Sequence, residues 1–130
     1  MGGTGQCHCG AVRYRTEAEL RPVLNCHCDR CRRTSGHFVA ASACPRAELV
    51  FDAEDGLRWY EPAAGVFYGF CSLCGSSLFF RTADSDGISI MAGTLDQPTG
   101  LTTAQAWYVA EAGDYHRLDD RLEQFETEPG

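Results

Sequence analysis

Residues 7–10 read Cys7-His8-Cys9-Gly10, and residues 71–75 read Cys71-Ser72-Leu73-Cys74-Gly75. Each segment offers two thiols separated by one or two residues and ends in glycine. Thiol pairs at this spacing suit one tetrahedral metal ion, and a closed zinc site takes four ligands. The glycine lets the backbone turn back so that its amides face the sulfurs. Brought together, the two pairs give a four-thiolate site, and a chain that closes such a site across more than sixty residues has its fold fixed by it. Iron is chemically admissible with four thiolates; zinc is the expectation for a scaffold site.

Between these pairs lies Cys26-His27-Cys28-Asp29-Arg30-Cys31, three more thiols within six residues. Seven clustered cysteines divide into four plus three. A zinc with three protein ligands keeps a fourth position for something else, which is how catalytic zinc is held. Cys44, His27, His37, His116, water or a substrate thiolate are the candidates for that position. If a protein group closes the site it is structural. If water or substrate closes it, the metal acts as a Lewis acid and activates a bound thiol. Arg30, Arg32 and Arg33 adjoin the thiols. They either offset the −1 charge of a zinc with three thiolates or clamp a substrate carboxylate in a bidentate fork. Thr34, Ser35 and Gly36 read first as a turn. His8 and His27 sit between cysteines, with rings expected to point away from the metal. Cys44, before Pro45, reads as a buried small hydrophobe.

The rest of the chain is consistent with a small metal-stapled domain. At 130 residues it reads as one domain spanning 1–130, with a core over roughly 4–125 and an acidic segment over 111–130. The net charge of −7 is concentrated in that segment, which carries Glu111, Asp114, Asp119, Asp120, Glu123, Glu126 and Glu128 against Arg117 and Arg121. Such a balance excludes non-specific nucleic-acid binding, which depends on cations that neutralise phosphates. There is no lysine, which excludes a lysine Schiff base and a P-loop lysine. No apolar run reaches the ~20 residues that span a bilayer, so no membrane partner is expected. The first residues lack the basic and apolar regions of a signal peptide. The expectation is a cytoplasmic protein, in which eight cysteines are metal ligands rather than disulfides. C-x-C and C-x-x-C pairs would in any case close almost no loop as disulfides.

Short apolar stretches punctuated by glycine and proline predict a mainly β fold of small antiparallel sheets. Strands are expected over 11–15, 23–24, 37–43, 48–51, 57–60, 66–70, 77–81, 88–91 and 106–109. No segment holds a helical period over three turns, and 119–125 is read as a short terminal turn of helix. Trp59, Tyr60, Phe67, Tyr68, Phe70, Phe79 and Phe80 are first of all core.

The order C-x-C-G, C-H-C-x-x-C-R-x-x-S-G and F-C-x-x-C-G-S-x-L resembles the glutathione-dependent formaldehyde-activating enzyme family, which includes the centromere protein V-like domains. The resemblance is carried by Gly5, Cys7, Cys9, Gly10 and Val12, then by Cys26, His27, Cys28, Cys31, Arg32, Ser35 and Gly36. It continues through Phe70, Cys71, Cys74, Gly75, Ser76 and Leu78 and on to Ala92-Gly93-Thr94-Leu95-Asp96. It implies a β-tent fold stabilised by zinc, with Cys7, Cys9, Cys71 and Cys74 on a structural zinc. It also implies a second zinc, held open by Cys26, Cys28 and Cys31, so two zinc ions per chain. The implied activity joins glutathione to formaldehyde and is classed as a carbon–sulfur lyase; Arg32 and Ser35 would then face the substrate. The chain departs from the family near 102–108, where Gln105 stands at about the place of a histidine the family often carries. The alternative reading is a zinc-stabilised protein-binding module without catalysis. A relative of the zinc-containing methionine sulfoxide reductases is a weaker reading, since Ser76 and Ser77 stand where a reactive thiol would be wanted. No residue signals an oligomeric state; a dimer is compatible with the chain.

Overall fold

The computed structural model describes residues 2–129. It is mainly β, and the chain divides into two compact units: Met1–Arg21 with Ser42–Gly100, and Pro22–Ala41 with Leu101–Gly130. Each cysteine cluster falls within one of them.

In the first unit, β1 (Gly3–Gln6), β2 (Val12–Thr16) and β5 (Val50–Glu54) form a three-stranded sheet in the order β1-β2-β5. In β2 the side chains of Val12, Tyr14 and Thr16 are buried and those of Arg13 and Arg15 are exposed, the two-residue period of a strand with one face on a core. β6 (Leu57–Ala63), β7 (Val66–Cys71), β8 (Ser77–Thr82) and β9 (Gly87–Met91) follow as an antiparallel meander. Tyr14 and Phe79 meet edge-on at 5.2 Å, and Phe51 lies 5.6 Å from Phe79. Around them Val12, Leu78 and Ile90 are fully buried. β1 escapes a reading by hydrophobic pattern because it is short, polar and rich in glycine. Its Gly5 is there for space: a Cβ would collide with the Tyr14 ring, whose hydroxyl pairs with the Thr94 hydroxyl at 2.7 Å.

In the second unit the strand order is β11-β10-β3-β4. β3 (Val23–Cys26) pairs antiparallel with the first residues of β4 (Val39–Pro45) and parallel with β10 (Thr103–Trp107), which in turn runs parallel to β11 (Glu123–Gln124). Two local expectations are corrected here. Residues 119–125 form a turn followed by β11 rather than a helical turn. The strand expected at 106–109 is Thr103–Trp107, because Tyr108 takes a left-handed backbone (φ 56°) and starts a 3-10 turn.

The one α-helix among the described residues, α1 (Asp29–Ser35), was not foreseen. Seven residues are too few to show a period, and the helix owes its ends to local chemistry. Cys28 is the N-cap, its sulfur accepting the Cys31 N–H. Gly36 ends the helix in the left-handed conformation (φ 87°), its N–H bonded to the Arg32 carbonyl.

Candidate metal centres

In the first unit two matching turns carry the outer cysteines. The Gly10 N–H bonds back to the Cys7 carbonyl at 3.2 Å, and the Gly75 N–H to the Cys71 carbonyl at 2.7 Å. Both glycines have positive φ, 82° and 80°, which a side chain would oppose. Each turn is held in a short hairpin, Cys7 N–H to Val12 O at 3.0 Å and Cys71 N–H to Ser76 O at 2.9 Å. The four sulfurs of Cys7, Cys9, Cys71 and Cys74 lie within 4.8 Å of one another. The Cys7–Cys9 separation is 3.7 Å and the Cys9–Cys71 separation 3.8 Å. A tetrahedron with zinc–sulfur bonds of about 2.3 Å has edges of about 3.8 Å, so the donor set fits a zinc ion. Polar groups around Cys7 and Cys74 favour the anionic form of those two sulfurs. The Val12 N–H donates to Cys7 Sγ at 3.3 Å, and the Ser76 hydroxyl lies 3.1 Å from Cys74 Sγ. Contacts from the Ser76 hydroxyl and N–H hold the Cys74 thiol down to about 5. Ser76 also accepts the His8 N–H at 3.0 Å, tying one hairpin to the other. Sequence gave no sign of this role beyond its place after Gly75.

In the second unit Cys26 closes β3, Cys28 caps α1 and Cys31 lies in its first turn, so the three sulfurs converge within 4.8 Å. Among the described residues no further cysteine, histidine or carboxylate joins this group. Cys44 lies in the first unit, buried, its thiol pushed up by that burial. His27, His37 and His116 gather in a ring cluster of their own with Phe38 and Tyr115. Hydrogen bonds from Cys26 and Cys31 hold the Cys28 thiol down to about 2, and the same proximity pushes Cys26 far up. Three sulfurs this close share one negative charge readily.

Of the neighbouring arginines, Arg32 and Arg33 both reach Asp29 Oδ1, at 2.8 and 3.0 Å. This pairing along the helix face was not read from the sequence, though the spacings of three and four residues are the ones that meet on a helix. The Arg32 Nε is buried and makes no hydrogen bond. The Ser35 hydroxyl donates to the Cys31 carbonyl at 2.7 Å and accepts the His37 N–H at 3.3 Å. On β10 the Trp107 Nε1–H donates to Gln105 Oε1 at 2.8 Å, and Gln105 Nε2 donates to Glu123 at 3.3 Å. Gln105 is therefore engaged in a side-chain chain along β10 and β11.

Comparison with known proteins matches residues 3–111 to the family described as glutathione-dependent formaldehyde-activating enzyme. The chain belongs to that family. A Halomonas elongata protein named "Putative glutathione-dependent formaldehyde-activating enzyme" is 32% identical over 83 residues, 58% of this chain. The chain spans about half the length of that curated relative, 53%. A crystal structure of a Rhodobacter sphaeroides protein shares the fold, with a TM-score of 0.62 at 22% identity, covering 77% of this chain and 97% of the other. Among the described residues no helix is long and apolar enough to cross a membrane.

Proposed function

We propose that the protein joins a small thiol to formaldehyde at a zinc ion held by Cys26, Cys28 and Cys31, with a second, structural zinc held by Cys7, Cys9, Cys71 and Cys74. Glutathione is the thiol the family name points to. One contrast carries the reading: four sulfurs converge in one cluster and three in the other, with no fourth protein donor beside the three among the described residues. A zinc ion held by these three thiolates would leave a coordination position and would supply Lewis acidity there, lowering the pKa of a bound thiol.

The chain's own residues prepare that position. The Cys31 N–H on Cys28 Sγ, 3.3 Å away, favours the thiolate. α1 fixes Cys28 and Cys31 relative to each other, and Ser35 secures the end of that helix through the Cys31 carbonyl. Asp29 is shared by Arg32 and Arg33, and with Arg30 the helix that carries the thiols keeps two net positive charges. We assign Arg32 the orienting of a substrate carboxylate. In the reaction a bond forms between the thiol sulfur and the aldehyde carbon. The carbonyl π pair moves to oxygen, and the thiol proton ends on that oxygen. The product is the S-hydroxymethyl adduct, and no oxidant is consumed. As a carbon–sulfur lyase the enzyme runs this in reverse.

Native mass spectrometry of the reduced protein, with glutathione titrated in, tests the reading. The expected result is two zinc ions and a saturable glutathione adduct. Cys31→Ser should lose one zinc, the adduct and activity while keeping the far-ultraviolet circular dichroism of the parent. Full activity in that variant with unchanged metal content would sink the assignment. Two zincs with no adduct across millimolar glutathione would refute glutathione as the substrate.

A further inference from the structure

On the second unit, residues 25 and 27, which flank Cys26, line a cavity of about 170 Å³. Neighbouring side chains of an extended segment point to opposite faces, so Asn25 and His27 look away from the face that carries the Cys26 sulfur. The cavity is completed by Phe38 from the stretch before β4, by Thr103 and Ala106 on β10, and by residues 116–119 and 122. These last residues lie beyond the segment that matches the family.

Three features of the cavity ask for a ligand. First, His27 is 2% exposed, yet among the described residues nothing hydrogen-bonds its ring nitrogens. Phe38 and His116 pack against the ring at 4.8 and 5.5 Å, and ring contacts of this kind supply no hydrogen bond. Second, Arg117 is exposed and has no ion-pair partner among the described residues. Asp119, the acid lining the cavity, is taken by Arg121, which donates to both its oxygens at 3.0 Å. This leaves an exposed guanidinium lining the cavity, in a chain of net charge −7. Third, Phe38, Leu118 and Leu122 give the cavity an apolar side. Its volume is below the ~300–1,000 Å³ of sites for drug-sized molecules.

We propose that this cavity binds a small carboxylate with a short apolar tail, its carboxylate paired with Arg117 and hydrogen-bonded by the His27 ring, at a site separate from the three thiols. A planar guanidinium with one flanking N–H donor matches a carboxylate better than a phosphate, which is usually held by several cations or by a run of backbone amides. The tail lies against Phe38 and Leu122. His27 is a common wall of this site and, through its backbone, of the thiol cluster. The proposal does not depend on the reaction assigned above.

The test is an NMR titration of the zinc-loaded full chain with butyrate at constant ionic strength, followed through backbone amides. Saturable shifts at Asn25, His27, Thr103 and Ala106 are expected. Arg117→Gln, an exposed substitution that the fold tolerates, should weaken butyrate at least tenfold, and butyramide should bind the parent correspondingly weakly. Cys31→Ser should leave butyrate affinity within twofold. Non-saturable shifts, or unchanged affinity in Arg117→Gln, would overturn the site. Loss of binding in Cys31→Ser would overturn the claim that the site is separate from the thiols, and inorganic phosphate binding more tightly than butyrate would overturn the carboxylate class.

Discussion

Gly56→Ala is the substitution that asks most of the four-thiol cluster without touching a cysteine. A Cβ at residue 56 would stand 2.7 Å from Cys71 Sγ and 3.1 Å from Ala11 Cβ, where ordinary contact begins at 3.4 Å. Cys71 is fully buried, so the sulfur has no open side to move into. To reach ordinary contact it must shift by about 0.7 Å, well beyond the ~0.2 Å within which metal–ligand distances are held. Overpacking of this kind costs about 1–3 kcal/mol. Because the sulfur moves, part of that cost falls on the metal. We expect zinc affinity of the four-thiol site to drop at least tenfold, equivalent to about 1.4 kcal/mol. The assay is guanidinium denaturation of parent and variant, each zinc-loaded and zinc-stripped, with a chelator competition for affinity. The substitution should cost more in the loaded than in the stripped protein. An equal cost in both, with unchanged zinc affinity, would refute the argument that residue 56 acts through the Cys71 sulfur.

Burial raises the Tyr14 hydroxyl to about 12, only partly offset by Thr94. A folded value above the unfolded ~10 means stability complete below pH 10 and lost between pH 10 and 12, of order 2–3 kcal/mol. Tyr14→Phe should lose this alkaline step in pH-dependent denaturation, and an unchanged profile would count against it. Arg81 lies 4.2 Å from the Phe67 ring and 4.9 Å from Trp59, so Arg81→Gln should lower stability by about 0.5–2 kcal/mol in urea melts, with no change in zinc content. Cys44→Ala, at a buried position outside both clusters, should leave two zincs in native mass spectra; loss of one would give Cys44 a ligand role. Tyr115→Phe removes the hydroxyl on His37 Nδ1, 2.7 Å away, and should cost about 0.5–1.5 kcal/mol by denaturation.

The parts of the fold legible in the sequence are those whose signal is local or covalent in character. Val12 and Tyr14 share a face, and the strands over 57–60, 66–70, 77–81 and 88–91 stand within a few residues of their places, because alternation and turn residues mark them. The grouping of the outer thiols was legible because ligand spacing is a strict constraint. α1 was not, because a seven-residue helix made by a cysteine cap and a glycine stop leaves no period to read. Ser76, Asp29 and the Tyr115–His37 contact were missed for another reason. Each acts through one hydrogen bond to a partner fixed only by tertiary structure, and a lone serine, aspartate or tyrosine carries no pattern that announces this.

The two clusters use the same residue type on different chain spans, and connectivity bears on the roles proposed for them. The outer site joins Cys9 to Cys71, 62 residues apart, and the inner one takes its ligands from residues 26–31. Loop-closure entropy grows with the logarithm of the span, which puts the difference at about 2 kcal/mol. A metal on the outer site therefore binds only when the first unit is folded, and its binding free energy is folding free energy. All four positions being protein ligands is what that role needs. The inner ligands are brought together by one strand end and one helical turn, so the metal there is not required to hold distant segments. A fourth protein ligand would add little to the fold and would occupy the position a substrate needs. Three thiols on a local frame in one unit and a four-thiol cluster spanning the other are what the proposed division between a reactive and a structural metal requires.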